Sequence, residues 1–298
     1  MRFLYHKETI EVKIIPEIIA SHLAEHITTT RFDTKIHAMN KSNFLGFIGE
    51  ELTRRYVLPK LCSNYDYAVY FITNAKSVQE AVIRKVVDKE LKNVELPQMF
   101  QQNLEYLVKL FNDGTTEIPI YVYKDLSEYI GLIVKCEIFN SLISSLAEYL
   151  RILKIRSTLF PLFYSKLFDF VCLSLSEVLR KSMLKLKIYE CTKSVFYPTM
   201  ISKGICKPVM QEELEVLIPR YEINRVRFIE VKTTSRSSDD VINEARWDMK
   251  RKIESIRNEE LFLRLIEKGN LDAYLIFVRL TSDLRNAVIS VYEFNVPR

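Results

Sequence analysis

Glycine is scarce in this chain, with six residues among 298, and only one tryptophan and four histidines are present. Few flexible turns are therefore expected, and a chain rich in helix. Five cysteines, at 62, 136, 172, 191 and 206, include no Cys-x-x-Cys pair. That spacing excludes the usual zinc modules and predicts scattered core thiols of a cytoplasmic protein. Nothing at the start combines a long apolar stretch with a cleavage site, so a secretory leader is not expected. The most apolar run, Leu159 to Leu179, is broken by Lys166, Asp169 and Glu177. It predicts a buried helix rather than a membrane span, and no membrane partner. Charge of either sign is not in great excess: the net value is +5, too mild to demand a polyanion by itself.

Against this background one segment stands out, Phe228-Ile229-Glu230-Val231-Lys232-Thr233-Thr234. Its apolar and β-branched residues predict a strand. Residues i and i+2 of a strand share a face, so Glu230 and Lys232 point the same way. Two charges in a central strand cost several kcal/mol unless something binds them. A carboxylate that holds Mg²⁺ beside a lysine that handles water or phosphate is one reason to accept that cost. The triplet alone is weak, because five Asp/Glu-x-Lys triplets occur. Glu90-Leu91-Lys92 and Asp248-Met249-Lys250 fall in helical patterns, and Asp33-Thr34-Lys35 in a turn-like stretch. Ile10-Glu11-Val12-Lys13 nearly copies the segment but has almost no chain before it.

The flanks supply context. Upstream, residues 211–218 and 225–234 predict a hairpin turning at Pro219 to Asn224. Glu213 and Glu215 share a face of its first strand. Downstream, Ser237-Ser238-Asp239-Asp240 predicts a helix start. Val241, Ala245, Met249, Ile253 and Ile256 follow at helical spacing, with a break near Asn258 and a stop at Gly269. Strands are expected from Ala273 to Leu280 and from Val288 to Phe294. Much earlier, Ser42 to Val57 predicts a helix with Leu45, Ile48, Leu52 and Tyr56 as its apolar stripe. Gly46 and Gly49 leave one helix face bare, which permits close approach to a sheet or a phosphate, and Glu50 follows at once. A strand from Tyr65 to Thr73 comes next.

The order is helix with Gly-Glu, strand, strand with an acid, strand with Glu-x-Lys, helix, strand, strand. In this order, and in the Ile-Glu-Val-Lys-Thr strand, the chain resembles the PD-(D/E)xK nuclease superfamily, over about 120 residues. It is most similar to the restriction- and defence-associated domains. The resemblance implies an α/β, restriction-endonuclease-like mixed sheet flanked by helices. It implies a Mg²⁺-dependent deoxyribonuclease, with Mn²⁺ able to substitute and DNA as partner. By that resemblance Glu230, the backbone carbonyl of Val231 and an acid on the preceding strand hold the metal. Lys232 assists the attacking water and Glu50 supports the metal site. The preceding acid is usually Asp, and no Asp occurs between Asp169 and Asp239. Glu213 fits the spacing best, with Glu215 the alternative. Iron–sulfur members carry cysteines after the lysine strand, and none follows Cys206 here. The second reading is a catalytically weak nuclease-fold protein that binds nucleic acid or serves in assembly.

Domain bounds follow: a helical extension at 1–41, the nuclease-like core at 42–75 and 201–298, and a helical insertion at 76–200. Within the insertion Val78 to Leu91, Leu96 to Phe111, Leu126 to Ile155 and Leu162 to Ile188 read as helical, and Ile118 to Tyr123 as a short strand. Basic residues outnumber acidic ones between Leu150 and Met200. Lys181, Lys185 and Lys187 would face DNA phosphates or, in the bland alternative, solvent or a second copy in a homodimer. Arg246 and Lys250 are further DNA candidates on the helix after the site, where Trp247 is expected in the core, with base stacking as the functional alternative. His22 and His26, four apart on an expected helix from Pro16 to Ile27, have metal-compatible spacing but no third ligand.

Overall fold

The computed structural model describes residues 4–14, 16, 41–73, 79–94, 117–123, 147–148, 150–159, 167–191, 206–234 and 239–297. The histidine pair at 22 and 26, and the readings for Leu96 to Phe111 and for most of Leu126 to Ile155, lie outside them. The architecture is mixed α/β with a large, mostly antiparallel sheet and few helices. The chain forms two units: 1–94, 158–176 and 223–298 make the first, and 95–157 with 177–222 the second.

In the first unit the strands are β1 (Leu4–Lys13), β2 (Tyr67–Thr73), β3 (Gln79–Val87), β4 (Glu90–Asn93), the start of β6 (Phe170–Cys191), the end of β7 (Cys206–Thr234), β8 (Leu271–Leu280) and β9 (Asn286–Phe294). Their order across the sheet is β1-β9-β8-β7-β6-β2-β3-β4. β2 is antiparallel to β3 and β6. The Asp169 N–H donates to the Ile229 carbonyl while Ser176 bonds Asn224, so β6 and β7 also run antiparallel. β7 and β8 are parallel, which requires a crossover. Helices α3 (Asp239–Ile256) and α4 (Glu260–Glu267) provide it. Ala245, Met249, Ile253 and Ile256 are the buried stripe of α3, as their spacing predicts. Gly269 then turns the chain at φ 71°, a conformation that costs glycine nothing.

Before β2 come α1 (Lys41–Tyr56) and α2 (Leu58–Leu61). Ser42 lies inside the first turn of α1, and Pro59 opens α2 instead of closing α1. Ile48 and Leu52 of α1 are fully buried, packed in one core with Ile229, Ile276 and Val278 of the sheet. Gly49 makes the closest approach, because a Cβ there would stand 1.8 Å from Oγ1 of Thr233. Gly46 has nothing within 4 Å of that position. Asp272 clamps the far end of the sheet by accepting from Tyr65, Arg225 and Arg227.

In the second unit β5 (Glu117–Tyr123) runs parallel to residues 185–191 of β6, and residues 150–157 are helical. Several expectations are corrected. The 1–41 segment begins with a strand, β1, paired to β9. The stretches read as helical at Val78 to Leu91 and Leu162 to Ile188 contain β3, β4 and β6. The expected hairpin turn at Pro219 is absent, since β7 continues from Cys206 to Thr234. Burial on both faces explains the error at β6. Phe170, Val171, Cys172 and Leu173 are all buried, and such a run has no strand alternation to betray it. Four cysteines are paired, Cys62 with Cys172 in the first unit and Cys191 with Cys206 in the second, which overturns the reading of scattered thiols. Among the described residues no helix is long and apolar enough to cross a membrane.

Candidate active site

β7 carries Glu230 and Lys232 on one face, as alternation requires, while the register against β8 sets them opposite Leu275 and Phe277. Glu230 is buried, 3% exposed. Its Oε1 lies 2.9 Å from Nζ of Lys232, and its Oε2 lies 2.7 Å from Nζ of Lys252. The second contact is off line, so this buried oxygen accepts no hydrogen bond. Lys252 arrives from α3 together with Asp248, four residues before it and so on the same helix face. Asp248 Oδ2 is 3.0 Å from Lys232 and 3.7 Å from Lys252. Sequence reasoning missed both residues. They are an ordinary helical i,i+4 pair, and only the crossover brings them over the β7 lysine.

The acid that accompanies Glu230 is Asp169, at the head of β6. Its Oδ2 accepts the Val231 N–H at 2.7 Å, so the strand backbone fixes it beside the Glu-x-Lys segment. Phe168 stacks on Phe228 at 4.3 Å and holds the segment entering β6 against β7. Dense surrounding protein pushes the Asp169 carboxyl well above the ordinary aspartate range, and the charges of Glu230 and Glu50 push it further. The Val231 N–H and Lys252 oppose this and do not win. Glu50 comes from α1, one residue past the Gly49 contact, and α1 packs on the Ile229, Val231 and Thr233 face of β7. Burial, then the charge of Glu230, raises its pKa to about 7. Three carboxylates from a helix and two strands thus act on one another inside the first unit. Val231 enters through its N–H.

Burial alone would lower the Lys232 ammonium. The charge and hydrogen bond of Glu230, with those of Asp248, outweigh burial and hold it above the ordinary lysine range. Lys232 is therefore a cation here. Beside it opens a depression of about 320 Å³ walled by Val241, Glu244, Ala245, Asp248 and Arg251. Trp247 is 64% exposed, which overturns its expected core position, and Nζ of Lys250 sits 5.3 Å from its ring centre. Arg246 precedes it on the same helix. The other predicted residues belong to the second unit. Glu213 is exposed and pairs with Lys185 at 3.3 Å, while Glu215, Lys181 and Lys187 lie on the same two strands, β6 and β7.

Among the described residues no three His, Cys, Asp or Glu side chains stand close enough to hold an ion together. The donor chemistry nevertheless fits a hard divalent cation. All three acids offer oxygen, burial and then their mutual repulsion raise two of them, and Oε2 of Glu230 lacks a hydrogen bond. No family model matches the chain, and neither a curated protein nor a solved structure is similar to it.

Proposed function

We propose that the chain is a metal-dependent nuclease of the PD-(D/E)xK kind, hydrolysing phosphodiester bonds in DNA. One observation carries the reading: the Val231 N–H holds the Asp169 carboxylate against the segment that carries buried Glu230, with Lys232 on the Glu230 face. The element order supports it. Helix α1, antiparallel β2, β6 and β7, the α3 crossover and parallel β8 follow the succession that the resemblance implies. Asp169 takes the part of the preceding acid, in place of Glu213 or Glu215.

Glu50, Asp169 and Glu230 would hold Mg²⁺ or Mn²⁺ once drawn closer together than they stand in this structure. When bound, the ion would polarise the scissile phosphate and lower the pKa of a coordinated water. The chain's own residues do the rest. Val231 fixes Asp169 through its backbone. Lys232, kept charged, stabilises negative charge building on the phosphate instead of abstracting a proton. Without the ion Glu50 takes up a proton near neutral pH, so proton and metal compete for it. Plasmid nicking tests the reading. Wild type should cleave in Mg²⁺ or Mn²⁺, and Asp169→Asn and Glu230→Gln should each lose at least about a hundredfold. Undiminished cleavage by Asp169→Asn would overturn the assignment.

One observation favours the second reading, a binding protein with little catalysis. Both oxygens of Glu230 already face ammonium groups, from Lys232 and Lys252. Salt-sensitive DNA binding with no metal-dependent cleavage would select that reading.

A further inference from the structure

A second depression of about 320 Å³ lies in the first unit against the end of α1. Arg54 and Arg55 of α1, Tyr70 of β2, Arg84 of β3 and Lys89 of the β3–β4 turn line it. The single acid on its wall, Glu90, is exposed and pairs with Lys92 at 3.9 Å. We infer that this depression binds a phosphate group of the nucleic-acid strand that engages the neighbouring carboxylates. The proposal rests on the nuclease reading for its strand, but the anion site itself stands on three local observations.

The first is an excess of positive charge. Glu51, 7% exposed, accepts from Nε and Nη2 of Arg54 at 2.8 and 2.6 Å and from Nε of Arg55 at 2.8 Å. One buried carboxylate thus orients two guanidiniums. Arg84 has no acidic partner among the described residues. The second is Tyr70. Its hydroxyl accepts from Nη1 of Arg54 at 3.4 Å and from Nε of Arg84 at 3.3 Å. With both contacts arriving as donors, its own proton is left to donate to an anion. The third is the turn. Asp88 and Lys89 have φ of 51° and 66°, unusual for residues other than glycine. The register Val87 to Glu90 makes them the two central residues of the hairpin, so Lys89 is held at the rim in a strained conformation. The pocket offers donors and cations, the recognition chemistry of a phosphate. Arg54 lies one helical turn beyond Glu50, about 6 Å along the axis of α1, so one helix serves both sites.

Inorganic pyrophosphate without divalent metal, and short oligonucleotides with and without a 5′-phosphate in Ca²⁺, are titrated against wild type, Arg84→Gln and Lys89→Asn. Asn tolerates positive φ, so the last variant keeps the turn. Arg84→Gln should weaken pyrophosphate and oligonucleotide binding by about tenfold. It should also reduce the slope of log affinity against log salt by about one, and Lys89→Asn should act in the same direction. Preference for the 5′-phosphorylated strand assigns a terminal phosphate, and equal binding an internal one. Unchanged affinity and slope in both pocket variants overturn the inference. If wild type cleaves nothing while Arg84→Gln still weakens pyrophosphate binding, the anion site stands and the nuclease reading falls.

Discussion

Glu50 ties the chemistry of the site to the stability of the fold. Its carboxyl titrates near 7 in the folded chain against 4.5 for an ordinary glutamate. Between those values the folded state holds a proton that the unfolded state has lost, so stability falls as pH rises through that window. Asp169 acts in the same direction. Without metal, the urea midpoint should therefore be lower at about pH 8 than at about pH 5. Glu50→Gln should shrink the difference, by no more than about 3 kcal/mol. Mg²⁺ should restore the midpoint at the higher pH, where the carboxylates are ionised. A difference that survives Glu50→Gln unchanged would remove Glu50 from the coupled set. Lys232 is a second test at this scale. Because it is already charged, Lys232→Ala should lower single-turnover cleavage about a hundredfold or more while leaving DNA affinity in Ca²⁺ nearly unaltered. Collapse of affinity with a normal rate at saturation would make it a binding residue. Glu230 and Lys232 were legible from sequence, whereas Asp169 was not, although Phe168-Asp169-Phe170 sets one acid between aromatics. Its role needs β6 to be a strand, and the sequence periodicity there does not say so.

Elements decide which copy of a motif becomes a site. Ile10-Glu11-Val12-Lys13 and Ile229-Glu230-Val231-Lys232 are almost the same tetrapeptide. The first lies on edge strand β1, where Glu11 and Lys13 are exposed and cost little. The second lies on a central strand beneath α1 and α3, where the same charges are enclosed. The contact between Gly49 and Thr233 sets the height of α1 above that strand. Gly49→Ala must push the helix away, because the clash involves a short, branched side chain rather than a flexible tip. Destabilisation of about 1–3 kcal/mol is expected, with loss of metal-dependent cleavage beyond what unfolding explains. A fully active, equally stable variant would show that Glu50 does not depend on this approach. On the outer face of α3, Trp247→Ala should weaken single-stranded DNA binding by about 1–3 kcal/mol and leave the denaturation midpoint in place, since the ring is mostly in solvent. A shifted midpoint with unchanged binding would return Trp247 to a structural role.

At the scale of the molecule, each unit carries its own covalent tie. Cys62 and Cys172 are 110 residues apart in sequence, so no spacing rule could pair them. Both are buried in the first unit, Cys62 beyond α2 and Cys172 three residues after Asp169. Their bond closes a loop that includes the whole of the second unit's first segment, 95–157, without joining anything across units. Such a long loop restricts the unfolded chain strongly, on the order of 4–5 kcal/mol in the chain-entropy account. Cys191 and Cys206 close a much shorter loop of 15 residues in the second unit. The paired replacement Cys62→Ala with Cys172→Val should therefore lower the denaturation midpoint of the first unit well below that of wild type under oxidising conditions, and bring it level with wild type under reductant. Thiol labelling of the unfolded protein supplies the direct check. With four of the five cysteines paired, one thiol should react before reduction and five after it. Five reactive thiols without reductant would show that the pairs are neighbours rather than bonds, and the stability of the first unit would then rest on its packing around Cys62 and Cys172 alone.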